Sequence, residues 1–224
     1  MVDKGFDENY KREYGNVIGI DEVGRGSLAG PVVVAAVLLD TFIEGIDDSK
    51  KISPKKREFL AAEITKRSKF AIGIATPYEV DTYNVLGSTR IAMERAFKKL
   101  GIDGFAIVDG PEIGLDFDHK CIVRGDSISP SIAAASIIAK VYRDGIMRKL
   151  SRYFDLYDFE HNVGYGTKKH IKALEQYGPT LFHRFTYAPV YKNIDYKKLK
   201  EWITEGRLSE NRIKHLSGTI CRMA

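Results

Sequence analysis

The chain is poor in the residues on which disulfide and soft-metal chemistry depend. Cys121 and Cys221 are its only two cysteines, far apart and in no C-x-x-C pair, which argues against a disulfide framework and against a cysteine-rich zinc ribbon. The histidines His119, His161, His170, His183 and His215 form no H-E-x-x-H, so zinc-protease chemistry is not expected. There is no G-x-x-x-x-G-K-[ST] phosphate loop, no G-x-S-x-G elbow and no G-x-G-x-x-G between strand and helix. Nor does any apolar run approach the ~20 residues of a membrane span. The segment from Met1 to Tyr14 is mostly polar and charged, without the apolar core of an export signal. A cytoplasmic protein that does not engage membranes is the expectation, and the sparse cysteines fit a reducing compartment.

Against these absences stand a 44% hydrophobic content, enough for a sizeable core, and 29% charged residues. The formal charge is +5 and the isoelectric point about 9.0, which favours an anionic partner. Basic residues cluster at Lys50–Lys51, Lys55–Lys56–Arg57, Lys168–Lys169 and Lys197–Lys198. Each cluster read alone is equally a solvated helix face.

Asn16 to Val23 reads as a strand, and Pro31 to Leu39 as a nearly all-apolar second one; the glycines at 24, 26 and 30 between them mark a hairpin. Ser53 followed by Pro54 is a helix start leading to about Ser68, after which Phe70–Ala75 returns to strand. Helical spacing runs from Ser88 to Leu100, with Gly101 as the stop. Short strands are expected at Phe105–Asp109 and Cys121–Arg124. A long helix follows from Ser129 to Tyr153, with Ile132, Ala135, Ala139, Tyr142 and Ile146 on its apolar stripe and an Ala133–Ala135 run that permits close packing on a sheet. Interleaved strands and helices point to an α/β layer structure with a mixed sheet. Beyond residue 192 the chain turns charged and helical, so residues 1–191 are read as one main domain and 192–224 as a helical hairpin, its second helix opening at Ser209.

The chemistry is sought where acids interrupt apolar pattern, because a buried carboxylate costs several kcal/mol unless something compensates it. Asp21 and Glu22 follow the VIGI run, Asp109 ends AIVD, and Asp126 follows IVRG. Taken singly, each is an ordinary turn or strand-end acid. Brought together without histidine or cysteine, four carboxylates would form a hard, oxygen-rich site for Mg²⁺ or Mn²⁺, suited to phosphodiester hydrolysis. Adjacent strand residues face opposite ways, so Asp21 and Glu22 are expected to share an ion only if the strand ends or bulges there.

Six blocks then carry a family resemblance: GIDEVGRGSLAGPVVVAAV at 19–37, DSKKIS at 48–53, VDG at 108–110, RGDSISPSIAAASIIAKVYRD at 124–144, GYGT at 164–167 and HRFTYAPV at 183–190. Together, over roughly residues 15–190, they resemble ribonuclease HII. The resemblance implies an RNase H-like fold: a mixed five-stranded sheet flanked by helices, with a family-variable helical tail. It implies an endoribonuclease acting on RNA/DNA hybrids and on DNA duplexes containing ribonucleotides, cutting 5′ of the ribonucleotide and leaving 5′-phosphate and 3′-hydroxyl ends. Asp21, Glu22, Asp109 and Asp126 match the four metal-binding acids, which would hold two Mg²⁺ or Mn²⁺ ions. Gly24, Arg25 and Gly26 match the turn whose backbone contacts the ribose, and Tyr165 the tyrosine that reads the 2′-hydroxyl. Lys50, Lys140 and Arg143 are candidates for phosphate contacts, and the protein is expected to act as a monomer. A non-catalytic nucleic-acid-binding module of the same fold is the competing reading.

Overall fold

The computed structural model describes residues 2–206; the tail helix expected from Ser209 lies outside the described residues. The chain divides into two compact units. One comprises the segments up to Arg25, Val32–Ala75 and Thr89–Arg143, and the other Gly26–Pro31, Thr76–Ser88 and the chain from Asp144.

The first unit carries a mixed sheet of five strands: β1 Val17–Val23, β2 Val32–Leu39, β3 Ser68–Ala75, β4 Phe105–Asp109 and β5 His119–Ile122, in the order β3-β2-β1-β4-β5. β1 pairs antiparallel with β2 and parallel with β4; β3 joins β2 antiparallel and β5 joins β4 parallel. Every residue of β2 is buried, as its unbroken VVVAAVLL requires of a strand covered on both faces. Before the sheet, a helix the polar composition had concealed, α1 Phe6–Tyr14, sets Tyr10 and Tyr14 against Phe105, the Tyr14 ring at 3.9 Å between centroids. Its buried Asp7 accepts hydrogen bonds from the Ser129 hydroxyl at 2.6 Å and the Ser131 amide at 2.8 Å. That acid therefore caps the start of the long helix α4, Pro130–Ser151, where amides lack partners and the helix dipole is positive.

Between β2 and β3 runs α2, Pro54–Arg67, its first turn capped by the Ser53 hydroxyl as expected. After β3 comes α3, Pro77–Leu100, longer than the sequence pattern proposed. Asn84 breaks it at φ 58°, ψ 175°, and the Asn84 side chain accepts from the Leu86 and Gly87 amides. The second half is thus a separately capped helix, which is why its periodicity alone was legible. β5 also departs from expectation. The pattern placed it at Cys121–Arg124, but pairing with β4 sets His119 opposite Ala106 and ends with Ile122 opposite Asp109. Beyond that point no β4 residue is left to pair with, and Arg124 adopts the left-handed conformation at φ 59°.

The remaining helices, α5 Phe159–Asn162, α6 Lys168–Tyr177, α7 Ala188–Tyr191 and α8 Tyr196–Thr204, belong to the second unit. Its core gathers Met147, Phe159, Leu174, Phe185 and Val190, with Trp202 of α8 stacked on Phe185. The tail beyond residue 192 thus contributes its one tryptophan to this core. Within the unit, the HRFTYAPV block is interior: Arg184 is fully buried and donates to the Gly30 carbonyl, while Asp81 accepts from the Phe185 and Thr186 amides.

One close approach fixes the active face of the sheet. A methyl group at Gly19 would stand 2.1 Å from the carbonyl carbon of Ser131, so α4 rests directly on the β1 backbone. Gly19→Ala is therefore expected to destabilise the protein by at least the ~1–3 kcal/mol typical of overfilling a packed interior. Urea denaturation checks this, and an unchanged midpoint would contradict the packing.

Candidate active site

The strand register sets the site before any side chain is considered. The last paired residues of the parallel strands β1 and β4 are Ile20 and Val108. Asp21 and Asp109, which follow them, therefore leave neighbouring strands at the same level. β5 ends beside Asp109, and the left-handed turn at Arg124 folds the chain back so that the Asp126 amide donates to Asp109 Oδ1 at 3.4 Å. Three acids from three segments gather at the carboxyl ends of parallel strands, the edge at which α/β sheets place ligands.

Asp21 lies on the same face of β1 as Gly19, two residues away, and so points toward α4. Two strand residues rise roughly 7 Å, as do five helical residues, which carries the contact from Ser131 to Ser136. The Ser136 hydroxyl indeed bonds Asp21, and it pairs with the Ser49 hydroxyl at 2.9 Å. Asp21 is only 5% exposed and also accepts its neighbour's amide, Glu22 N, at 2.7 Å.

Glu22 faces the other way. Pairing with β2 runs in unbroken register through Val23, so no bulge re-aims it, in contrast to the expected condition for sharing an ion with Asp21. Its carboxylate is held by Arg25, Oε1 to Nη1 at 3.0 Å, while still feeling the charge of Asp109.

Charge is the dominant property of this edge. Burial, then the charges of Glu22 and Asp109, push Asp21 well above the usual carboxylate range, against the opposing Ser136 and Glu22 hydrogen bonds. Asp109 is raised by burial and by Asp126, with the Asp126 and Gly125 amides and Lys50 pulling the other way. Glu22 is raised by burial despite Arg25. Lys50 lies 3.6 Å from Asp126 on a side chain that is 83% exposed. Burial lowers its pKa, yet Asp126, Asp48, Asp21 and Asp109 together raise it. No three of the four acids bring one oxygen each within 4.8 Å of one another among the described residues. The carboxylates are thus held as neighbours without collapsing together. Such a hard oxygen set, short of countercharge and lacking nitrogen or sulfur donors, fits divalent cations of the Mg²⁺ and Mn²⁺ type.

The other expected residues fall into different settings. Lys140 is half-buried, but Arg143 is fully buried and is not part of an exposed cationic face. It stands at four-residue spacing from Ala135 and Ala139, and the buried stripe of α4 continues through it to Met147, leaving Tyr142 46% exposed instead. Gly24, at φ 99°, makes the turn after β1 in a conformation that side chains disfavour. Within the second unit, a Cβ on Gly26 would lie 4.0 Å from the Tyr165 ring.

Sequence reasoning missed the support beneath Tyr165. The Thr180 amide donates to His183 Nδ1 at 2.9 Å, and His170 Nδ1 donates to the Tyr165 carbonyl at 2.9 Å. Those two bonds require His183 Nε2 to carry the proton it shares with His170 Nε2 at 3.0 Å. A chain of neutral imidazoles thereby anchors the Tyr165 backbone, and burial together with the neighbouring His170 drives His183 down to about 3. The available signal was the placement of one histidine three residues after GYGT and another opening HRFTYAPV. Ser136, likewise missed, was visible only as a hydroxyl interrupting an alanine-rich helical stripe.

Among the described residues, no helix is long and apolar enough to cross a membrane. The ribonuclease HII family model matches residues 18–190. The ribonuclease HII of Thermotoga maritima is 45% identical over 213 residues, covering 95% of this chain and 90% of that protein. That of Ehrlichia chaffeensis is 50% identical over 179 residues, covering 77% and 86%. Among solved structures, the ribonuclease H2 of Pyrococcus horikoshii superposes with a TM-score of 0.70 at 25% identity, covering 80% of this chain and 96% of that one. The ribonuclease HII of Archaeoglobus fulgidus, solved as a complex with PCNA, superposes with a TM-score of 0.61 at 26% identity, covering 87% and 91%. From the strand register to these relatives, the chain belongs to the ribonuclease HII family, nuclease hydrolases of the RNase H-like fold that act on RNA/DNA hybrids.

Proposed function

We propose that this chain cuts the RNA strand of hybrids and also cuts on the 5′ side of ribonucleotides embedded in duplex DNA, acting as a monomer. The observation that carries this reading is the convergence of Asp21, Asp109 and Asp126 at one sheet edge with too little positive charge to balance them. Asp21, Asp109 and Asp126 would hold two divalent ions, with Glu22 approaching beside Asp109 from the opposite face of β1 rather than sharing an ion with Asp21. Bound there, such ions supply Lewis-acid activation of water and neutralise charge on the departing oxygen.

The chain's own groups then have distinct tasks. Asp21 is braced from below by Ser136, so its carboxylate stays aimed at the strand ends. Asp109 is kept in place by the Gly125 and Asp126 amides. Water adds to phosphorus as the bond to the 3′-oxygen breaks, and a proton ends on that oxygen, leaving 5′-phosphate and 3′-hydroxyl ends. Lys50, exposed beside Asp126, is suited to a backbone phosphate, a contact that positions without reading sequence. The Gly24–Arg25–Gly26 turn and Tyr165 would recognise the ribose 2′-hydroxyl, the one group that separates RNA from DNA at the cut.

In Mg²⁺ or Mn²⁺, Asp21→Asn and Asp109→Asn are expected to lower cleavage of a duplex with a single ribonucleotide at least about a thousandfold, since several kcal/mol of charge stabilisation is lost at ~1.4 kcal/mol per decade. Full activity in folded Asp21→Asn protein would refute the assignment, as would wild-type binding without cleavage in either metal. Tyr165→Ala should lose more activity on the single embedded ribonucleotide than on a long hybrid. Equal losses on both substrates would count against the sensing role.

A further inference from the structure

On the far side of β4 from β1, the edge strand carries a second group of ligand atoms with different chemistry. Glu112, His119 and Cys121 each bring one donor atom within 4.8 Å of the others. His119 and Cys121 are two residues apart on β5, so both project from the same face of the sheet. Helical metal motifs rely on i, i+4 spacing; on a strand the equivalent is i, i+2.

Two of the three, Glu112 and His119, are held in place by hydrogen bonds to the backbone. The Glu112 carboxylate accepts from the Ile113 amide at 3.0 Å and the Gly114 amide at 2.8 Å. The His119 ring donates through Nδ1 to the Phe117 carbonyl at 2.8 Å, which presents Nε2 to Glu112 Oε1 at 2.9 Å. This is the arrangement of a metal-binding histidine, whose other nitrogen is held by a backbone carbonyl. Phe117 is itself immobilised by stacking on Phe97, with centroids 3.9 Å apart, and it meets the His119 ring edge-on. Without a cation, the facing Nε2 and carboxylate need a proton between them. Burial works against a charged His119, but Phe117 and Glu112 outweigh it and raise its pKa, while the Gly114 amide and His119 bring Glu112 down to about 2. Burial and the Glu112 charge push the Cys121 thiol up to about 11.

We propose that Glu112, His119 and Cys121 form a transition-metal site of the zinc class at the β5 edge, distinct from the four acids, with its fourth position left to water. One sulfur, one nitrogen and one oxygen donor select a borderline ion such as Zn²⁺ or Co²⁺ over Mg²⁺. At metal–ligand distances of about 2.0–2.3 Å, tetrahedral ligands lie roughly 3.3–3.8 Å apart, a separation the trio reaches by small side-chain shifts. Binding releases two protons, one from the Cys121 thiol and one from His119 Nε2, so the thiolate and neutral imidazole become the ligands.

Co²⁺ added to the full-length protein tests the site by absorption. One equivalent should give an intense thiolate-to-cobalt charge-transfer band that Zn²⁺ bleaches by displacement. The band should vanish in Cys121→Ser and His119→Ala, weaken at least tenfold in affinity in Glu112→Gln, and persist in Cys221→Ser and Asp21→Asn. Absence of the band in wild-type protein, its survival in Cys121→Ser, or its loss in Cys221→Ser would overturn the proposal.

Discussion

Mutual repulsion among carboxylates at the ends of β1 and β4 governs much of the first unit. Parallel strands ending level with each other bring Asp21 beside Asp109, and the turn after β5 adds Asp126. Burial removes water that would otherwise screen these charges, so Glu22 and Asp109 raise Asp21 and Asp126 raises Asp109. The fold answers with directed hydrogen bonds and two cations: Ser136 under Asp21, two amides on Asp109, Arg25 on Glu22 and the exposed Lys50 near Asp126. A site left electrostatically incomplete in this way is poised to take up positive charge.

That incompleteness requires a rigid base. The absent side chain at Gly19 lets α4 settle on β1, and the alanines at 133, 134 and 135 are all fully buried along the same helix. Asp7 caps the start of that helix through Ser129 and Ser131, so α1 also helps position Ser136. In the second unit, Tyr165 is anchored through neutral His170 and His183, and the loop at Gly30 through buried Arg184. Motif blocks that resemble chemistry in the sequence are, in large part, supports for the chemistry.

How much of this was legible follows from the range of each interaction. β1, β2, α2 and β4 were readable because apolar runs, a Ser-Pro helix start and flanking glycines are local signals. The count of five strands came from the family resemblance, whereas the four acids stood out as carboxylates at the ends of apolar runs and the resemblance matched them to metal ligands. α1 was concealed because its apolar content is an aromatic ladder within charged residues, and the first half of α3 because Asn84 resets the helical phase. The end of β5 depended on where β4 ran out, and the burial of Arg143 on which stripe of α4 faces inward; both are tertiary facts. Glu112 and His119 become neighbours only through the loop between β4 and β5, so the sequence offered no spacing to find them by.

Burial makes the ionised Asp21 carboxylate a cost to the folded protein. Because the Asp21 pKa is raised in the folded state, its contribution to stability is complete below the unfolded value of about 3.9 and is lost as pH rises through the folded value. Near neutral pH, the cation-free protein thus carries an electrostatic penalty that positive charge at this edge would relieve. The direct measurement is thermal unfolding at neutral pH, with chelator and then with Mn²⁺, for wild type and Asp21→Asn. The expected result is a higher midpoint for the variant in chelator and a larger Mn²⁺ gain for wild type. A variant that melts lower in chelator, or gains as much from Mn²⁺ as wild type, would contradict the account.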